Sequence, residues 1–255
     1  ILQKVVHPYI VPLHFSFQDD INFYLLFEYL GGGDLFHHLQ ARGPLQERAT
    51  RILIAEVTLA LDYLHTVHSV VYRDLKPENV LLSLDGHAIL ADFGSARALH
   101  SSARAGGSRT IVGTPAYMAP EILLNVPYGV GCDWWALGVM LFTMLEGRLP
   151  FDAPNEAKML WRIVKAKPHY PEGVQEPTSE VLRALLQKRP ETRLASFDAL
   201  RAHAFFASID WDALAELRVE PPFVPTLDDV DDMRYVPDRV SVHGAELPPT
   251  PYKKG

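Results

Sequence analysis

Cysteine is almost absent from this sequence. Cys132 is the only one in 255 residues, which excludes an intrachain disulfide and a cysteine-based zinc site and fits a reducing compartment. The cytoplasm is therefore the expected location, with entry to the nucleus left open. Positive charge is also in short supply. The formal net charge is -7 at pH 7, which argues against a general polyanion binder and leaves only a local basic groove open. No nucleic-acid partner is expected. Long apolar runs are missing too. The longest, Trp134 to Leu145, lies between Asp133 and Glu146 and is shorter than the roughly 18 to 20 residues that span a bilayer. No membrane span and no signal peptide are legible. That run is apolar on every side, the mark of a helix buried in the centre of a protein, so Trp134 and Trp135 are expected in the core.

What is present suits a folded domain. Hydrophobic residues make up 48% and charged residues 22%, enough for one large domain or two small lobes. Residues 1–6 read as a helix end closed by His7-Pro8. "IVPLHFSF" and "NFYLLFEYL" around "QDD" read as a hairpin. A short helix is expected over Asp34 to Ala41 and an amphipathic one over Gln46 to His65, with Leu53, Val57, Ala60 and Leu64 on one face. "NVLL" and "HAIL" flank "SLDG", a second hairpin with an Asp-Gly turn. Ser95 to Thr110 is small, polar and basic and reads as a mobile loop, in which Arg97, Arg104 and Arg109 serve the loop itself. Helices are expected over Asp133 to Leu145, Glu156 to Lys165, Ser179 to Gln187 and Phe197 to Ala202. From Val219 the chain is rich in Pro and Asp and reads as an extended tail or as disorder. His37 and His38 are expected on the surface.

The chemistry concentrates in "VVYRDLKPENVLLS". The second hairpin brings Asn79 and Asp92 together, two hard oxygen ligands of the kind Mg²⁺ takes along with phosphate and water. Asp74 can accept a hydroxyl proton. Lys76 can neutralise charge on a phosphoryl group in flight. Together they suit metal-assisted phosphoryl transfer.

"YRDLKPEN", then "DFG", "GTPAYMAPE" and "DWWALGV", resemble in content and order a eukaryotic protein kinase. The "RDLKPEN" form indicates Ser/Thr specificity, and "HAFFASIDWDAL" followed by "EPPFVP" resembles the AGC group, which includes protein kinase B and the serum-regulated and ribosomal-protein kinases. The resemblance implies an α+β, bilobal kinase-like fold, here mainly the helical large lobe. Residues 1–29 would be a small-lobe remnant with the hinge, 30–206 the large lobe and 207–255 an AGC-like tail. It implies ATP and Mg²⁺ as cofactors and transfer of the γ-phosphoryl to Ser/Thr hydroxyls of protein substrates. The alternative is a catalytically silent kinase-like scaffold that binds protein partners.

By the same resemblance Asp74 is the catalytic base, Lys76 contacts the transferred phosphate, Asn79 and Asp92 hold Mg²⁺, and Thr114 contacts Asp74 and Lys76. Phe27 is the gatekeeper, and Glu28 and Leu30 offer hinge backbone to adenine. Asp34, Leu81 and Ala91 complete the ATP pocket. Leu2, Leu13, Tyr72 and Phe93 would stack as a spine. Asp133 would anchor the catalytic loop, and Glu121 would pair with Arg193. Arg73 before the catalytic Asp implies a phosphate on Thr110, added by an upstream activating kinase and paired with Arg73. Asp34 and Glu78 would contact basic residues upstream of the phosphoacceptor, while Thr143 stands where basophilic relatives carry Glu. Tyr235 resembles the tail aromatic that approaches the nucleotide. The Gly-rich loop, strand Lys and helix Glu of the family do not occur in the 255 residues. The expectation is a fragment that lacks its grip on ATP when alone and dissolves poorly.

Overall fold

A computed structural model describes residues 4–99, 108–226 and 235. Two helices organise it. α1 spans Leu35–Arg42 and α2 spans Glu47–Thr66. Leu53, Ile54, Val57, Ala60, Leu61 and Leu64 of α2 recur every three or four residues, and all are buried. α3 is a single turn, Pro120–Leu123. α4, Gly131–Glu146, is buried on nearly every side from Cys132 to Phe142. Trp134 and Trp135 lie in the core, at 2% and 0% exposure. α5 (Glu156–Lys165), α6 (Glu176–Leu185), α7 (Phe197–Arg201) and α8 (Trp211–Ala215) complete the helical body. α6 begins three residues before the expected Ser179. Pro177 sits in its first turn, where a missing N–H costs nothing.

Strands come in three antiparallel pairs. β1 (Leu13–Gln18) pairs with β2 (Phe23–Phe27). β3 (Val70–Val71) pairs with β6 (Arg97–Ala98), and β4 (Val80–Leu82) with β5 (Ala88–Leu90). The β3–β6 pair corrects the expectation of a mobile loop from Ser95 to Thr110. Its start is fixed against β3, and Ser108 exchanges backbone bonds with Tyr128. Residues 100–107, with Ser101, Ser102 and Arg104, lie outside the described residues. So do Leu2 and the first half of the helix end expected over 1–6; residues 5–7 are not helical.

Residues 4–30 divide in two. Tyr9, Ile10 and Val11 are buried. Val11 N–H donates to the Leu90 carbonyl at 3.0 Å, and Leu90 N–H to the Tyr9 carbonyl at 2.9 Å. The Tyr9 hydroxyl donates to the Leu214 carbonyl of α8 at 2.5 Å. This segment therefore belongs to the helical body. The β1–β2 hairpin does not: Phe15, Phe17, Ile21, Phe23, Leu25 and Leu26 are all exposed.

Beyond α8 the chain runs back over the other end. Phe223 lies beneath Arg42, whose guanidinium carbon is 4.4 Å from its ring centre. Phe223 also packs on His38, ring centres 5.3 Å apart. Tyr235 meets His38 at 4.9 Å and His37 at 5.8 Å. His38 is thus a core residue, contrary to the surface position expected of it. Its Nε2 lies 2.7 Å from the Gly32 carbonyl, and burial lowers its pKa below the ordinary histidine value. Tyr235 also lies against Gly33, next to the Asp34–Leu81 bridge.

Candidate active site

The loop from Tyr72 to Asn79 is held from below. Both oxygens of Asp133, at the start of α4, accept from its backbone: Tyr72 N–H at 2.8 Å and Arg73 N–H at 2.7 Å. The hold is needed because Arg73 has φ 73°, a left-handed conformation that costs a non-glycine residue energy. Asp133 is completely buried, and His65 Nε2 sits 2.8 Å from its Oδ2. Pro77 then starts a short 3₁₀ turn, Pro77–Asn79, which delivers Asn79 to β4.

Three residues converge on the Asp74 carboxylate. Thr114 donates to its Oδ1 twice, from N–H and from Oγ1, both at 2.9 Å. Lys76 Nζ donates to Oδ2 at 3.1 Å and to Thr114 Oγ1 at 2.7 Å. The Thr114 hydroxyl thus gives its proton to Asp74 and accepts one from Lys76. Asn79 Nδ2 donates to Asp74 Oδ2 at 3.1 Å and to the Asp74 carbonyl at 2.8 Å. Gly113 lets the two segments meet. Its φ is 110°, and a Cβ there would stand 2.5 Å from the Arg73 carbonyl oxygen.

Asn79 and Asp92 are brought together as the hairpin reading requires. The Asn79 carbonyl accepts from Ala91 N–H at 2.9 Å. The Asn79 amide nitrogen is committed to Asp74, so its Oδ1 is the oxygen it has for a metal. Asp92 is exposed, with φ 50°, and its Oδ1 accepts from Gly94 N–H at 3.1 Å. Among the described residues no three His, Cys, Asp or Glu side chains are grouped to hold a metal ion. Two oxygen ligands are what Mg²⁺ takes when phosphate and water supply the rest. Tyr72 donates its hydroxyl to the Ala91 carbonyl and meets Phe93 edge to face, ring centres 5.4 Å apart.

The expected nucleotide face is built from β2, the hinge and β4. Phe27 ends β2. Glu28 N–H is taken by the Pro12 carbonyl at 3.1 Å, so its carbonyl is the hinge group it can offer. Leu30 and Leu81 are half-buried against the core. Asp34 is 4% exposed and caps α1, accepting from His37 N–H at 2.7 Å. That commitment makes it a structural cap first. Glu78 is different: its Oε2 is buried and has no hydrogen-bond partner. Tyr117 lies close enough that its hydroxyl pKa, raised first by burial, is raised further by the Glu78 charge.

Thr110 is exposed, and Arg97 Nη1 donates to its Oγ1 at 3.0 Å. Arg73 reaches it only indirectly. Its Nε donates to the Ser95 carbonyl at 2.6 Å and its Nη1 to the Tyr128 hydroxyl at 3.3 Å. Tyr128 in turn donates to the Thr110 carbonyl at 2.6 Å. Arg97, Ser95 and Tyr128 were not assigned to the site by sequence; no local motif marks Tyr128. Deeper down, Glu121 and Arg193 pair through two bonds of 2.6 and 2.8 Å.

The comparisons with known proteins agree with one another. A family described as protein kinase domain matches residues 1–206. The chain is 41% identical over 234 residues to serine/threonine-protein kinase gad8 of Schizosaccharomyces pombe, which covers 91% of this chain and 41% of that protein. It is 40% identical over 238 residues to serine/threonine-protein kinase Sgk1 of Rattus norvegicus, covering 92% of this chain and 54% of the relative. A RAC family serine/threonine-protein kinase homolog of Dictyostelium discoideum is 40% identical over 229 residues, 89% of this chain and 51% of its own length. The chain thus spans about half the length of the curated relatives it matches.

Proposed function

The chain belongs to the protein kinase family, in its AGC group of Ser/Thr kinases, and from that premise we propose that its protein moves the γ-phosphoryl group of ATP to Ser or Thr hydroxyls of protein substrates. The network around Asp74 carries this reading. Its carboxylate is fixed by Thr114, Lys76 and Asn79 at 2.9 to 3.1 Å, a held acceptor with an ammonium beside it. In the reaction Asp74 accepts the proton of the incoming hydroxyl as that oxygen bonds to the γ-phosphorus and the bond from phosphorus to the bridging oxygen breaks, releasing ADP. Lys76 offsets the negative charge that spreads over the phosphoryl oxygens. Asn79 and Asp92 would hold Mg²⁺, which neutralises phosphate charge when bound. Phe27, Glu28, Leu30, Leu81 and Ala91 would receive the adenine, with Asp34 at the edge of that pocket.

Substrate choice follows from Glu78. Glu78 stands on the 3₁₀ turn that follows Asp74 and Lys76 and matches the acid that contacts an upstream basic residue in the family it resembles, so substrates with an Arg upstream of the phosphoacceptor are favoured. Asp34 contributes less because it caps α1. A phosphate on Thr110, placed by an upstream kinase, would fall within reach of Arg97 and of the Arg73–Tyr128 pair. The cytoplasm is the proposed location.

A peptide array with the full-length protein and MgATP tests both parts. Ser and Thr peptides carrying upstream Arg should be labelled, Glu78→Gln should flatten the Arg preference, and Thr110→Ala should lower the rate. Labelling without any basic preference would overturn the substrate reading. Absence of labelling with a Thr110-phosphorylated sample would favour the silent scaffold.

A further inference from the structure

Tyr128 is the residue through which the catalytic loop meets the Thr110 segment. It is buried, at 4% exposure. Its hydroxyl has one proton to give and lone pairs to receive others, and both capacities are in use. It donates to the Thr110 carbonyl at 2.6 Å and accepts from Arg73 Nη1 at 3.3 Å. Its backbone is committed as well. Ser108 N–H donates to the Tyr128 carbonyl at 2.8 Å, and Tyr128 N–H donates to the Ser108 carbonyl at 3.0 Å. Residues 108–110 are thereby seated on Tyr128.

Both neighbours of the hydroxyl lead to the active centre. Arg73 directly precedes Asp74, and its N–H is held by Asp133 at 2.7 Å. On the other side, Thr110 lies four residues before Thr114. Thr114 donates to Asp74 Oδ1 from N–H and from Oγ1, both at 2.9 Å. Residues 110–114 thus form a short bridge with Tyr128 at one end and Asp74 at the other. Arg97 adds a bond from Nη1 to Thr110 Oγ1 at 3.0 Å, but it comes from β6 and not from the catalytic loop.

The chain from Arg73 through Tyr128 to Thr110 uses a hydroxyl and a carbonyl as acceptors and needs no phosphate. A phosphate on Thr110 would offer the Arg73 and Arg97 guanidinium groups a charged acceptor, which binds them more strongly than either neutral oxygen.

We propose that Tyr128 is a positioning residue that acts before Thr110 is phosphorylated: its hydroxyl ties the Thr110 segment to Arg73, which keeps Thr114 on Asp74, and the phosphate takes over that tie once it is present. The role rests on the transfer reaction proposed above, with Asp74 as the proton acceptor.

Tyr128→Phe removes the hydroxyl and keeps the ring. The full-length protein is prepared with threonine and with phosphothreonine at position 110, each with and without the substitution. Two quantities are measured on every form. One is hydrogen exchange over residues 111–117, which include the Thr114 N–H. The other is single-turnover transfer from MgATP to an Arg-containing Ser peptide. With unmodified Thr110, Tyr128→Phe should speed the exchange and slow the transfer by about five- to tenfold each. With phosphothreonine, both should return to within about twofold of the protein that keeps Tyr128. Exchange that is unchanged with unmodified Thr110 overturns the proposal. So does exchange that speeds equally in both forms, the result of a merely structural role. Absence of transfer from both forms that keep Tyr128 overturns the kinase reading, and the exchange arm, which needs no turnover, still decides whether Tyr128 holds the segment.

Discussion

Replacing Glu121 with alanine would leave the Arg193 guanidinium charged, buried and short of two partners. The two side chains are 3% and 0% exposed, so water cannot take over. Breaking a buried pair from one side costs about 3–5 kcal/mol. Arg193 keeps two other bonds, from Nη1 to the Gly131 carbonyl at 2.8 Å and from Nε to the Gln187 carbonyl at 3.1 Å. These place the expected loss near the lower end, ~3 kcal/mol. With a urea m-value of roughly 3 kcal/mol/M for a chain of this size, the unfolding midpoint should fall by ~1 M. Tryptophan fluorescence suits the assay, since the Arg193 guanidinium lies over the Trp135 ring, 5.2 Å from its centre. The control removes both charges, Glu121→Met with Arg193→Met. Its desolvation gain offsets the lost pairing, so it should lose no more than ~1 kcal/mol. A single substitution that costs no more than the double one would refute the reasoning, because the penalty is assigned to the orphaned charge and not to the lost packing.

Three further outcomes are expected. At Gly33, φ is 74° and a Cβ would stand 2.5 Å from Tyr235 Cβ. Gly33→Ala should cost about 1–2 kcal/mol in backbone strain and unseat Tyr235, seen as faster chymotryptic cutting at that residue; an unchanged cutting rate would contradict the packing. His7 stacks on Tyr63, and burial lowers its pKa to about 4. It therefore holds fewer protons folded than unfolded, so stability is full above the unfolded value of 6.5 and falls as the pH drops towards 4. His7→Phe should lose less stability between pH 7 and pH 5 than the wild type, and an equal loss would count against the assignment. Finally, Phe15, Ile21 and Phe23 are 65%, 89% and 79% exposed on the β1–β2 hairpin. Residues 1–255 alone should self-associate through this surface in sedimentation velocity, and a monodisperse monomer would show the surface to be harmless.

Much of the site was legible because its parts are close in sequence. Asp74, Lys76 and Asn79 share one loop, and the Asp-Gly hairpin brings Asp92 to them with no long-range information. Alternating or continuous apolar runs likewise disclosed β1, β2 and α4, and a periodic apolar face disclosed α2. What escaped depends on partners far along the chain. Tyr9 falls in the stretch 1–29 that the resemblance implies as a small-lobe remnant, while its backbone bonds to Leu90 and its hydroxyl bond to Leu214 tie it to the helical body. His38 reads as a polar surface residue until Phe223 and Tyr235 cover it. The pairing of Arg97–Ala98 with β3 overrides a composition that signals only a loop. Tyr128 joins Arg73 to Thr110 by two hydrogen bonds that no spacing rule foretells.

The central claim is that Asp74 does chemistry and does not serve binding. Single-turnover transfer from radiolabelled ATP with Mg²⁺ to an Arg-containing Ser peptide tests it most directly, comparing the full-length protein with Asp74→Asn and measuring nucleotide affinity on the same samples. Asp74→Asn should bind ATP as the wild type does while its transfer rate falls by about 10²- to 10⁴-fold. Equal transfer rates, or a loss explained by weaker ATP binding, would contradict it.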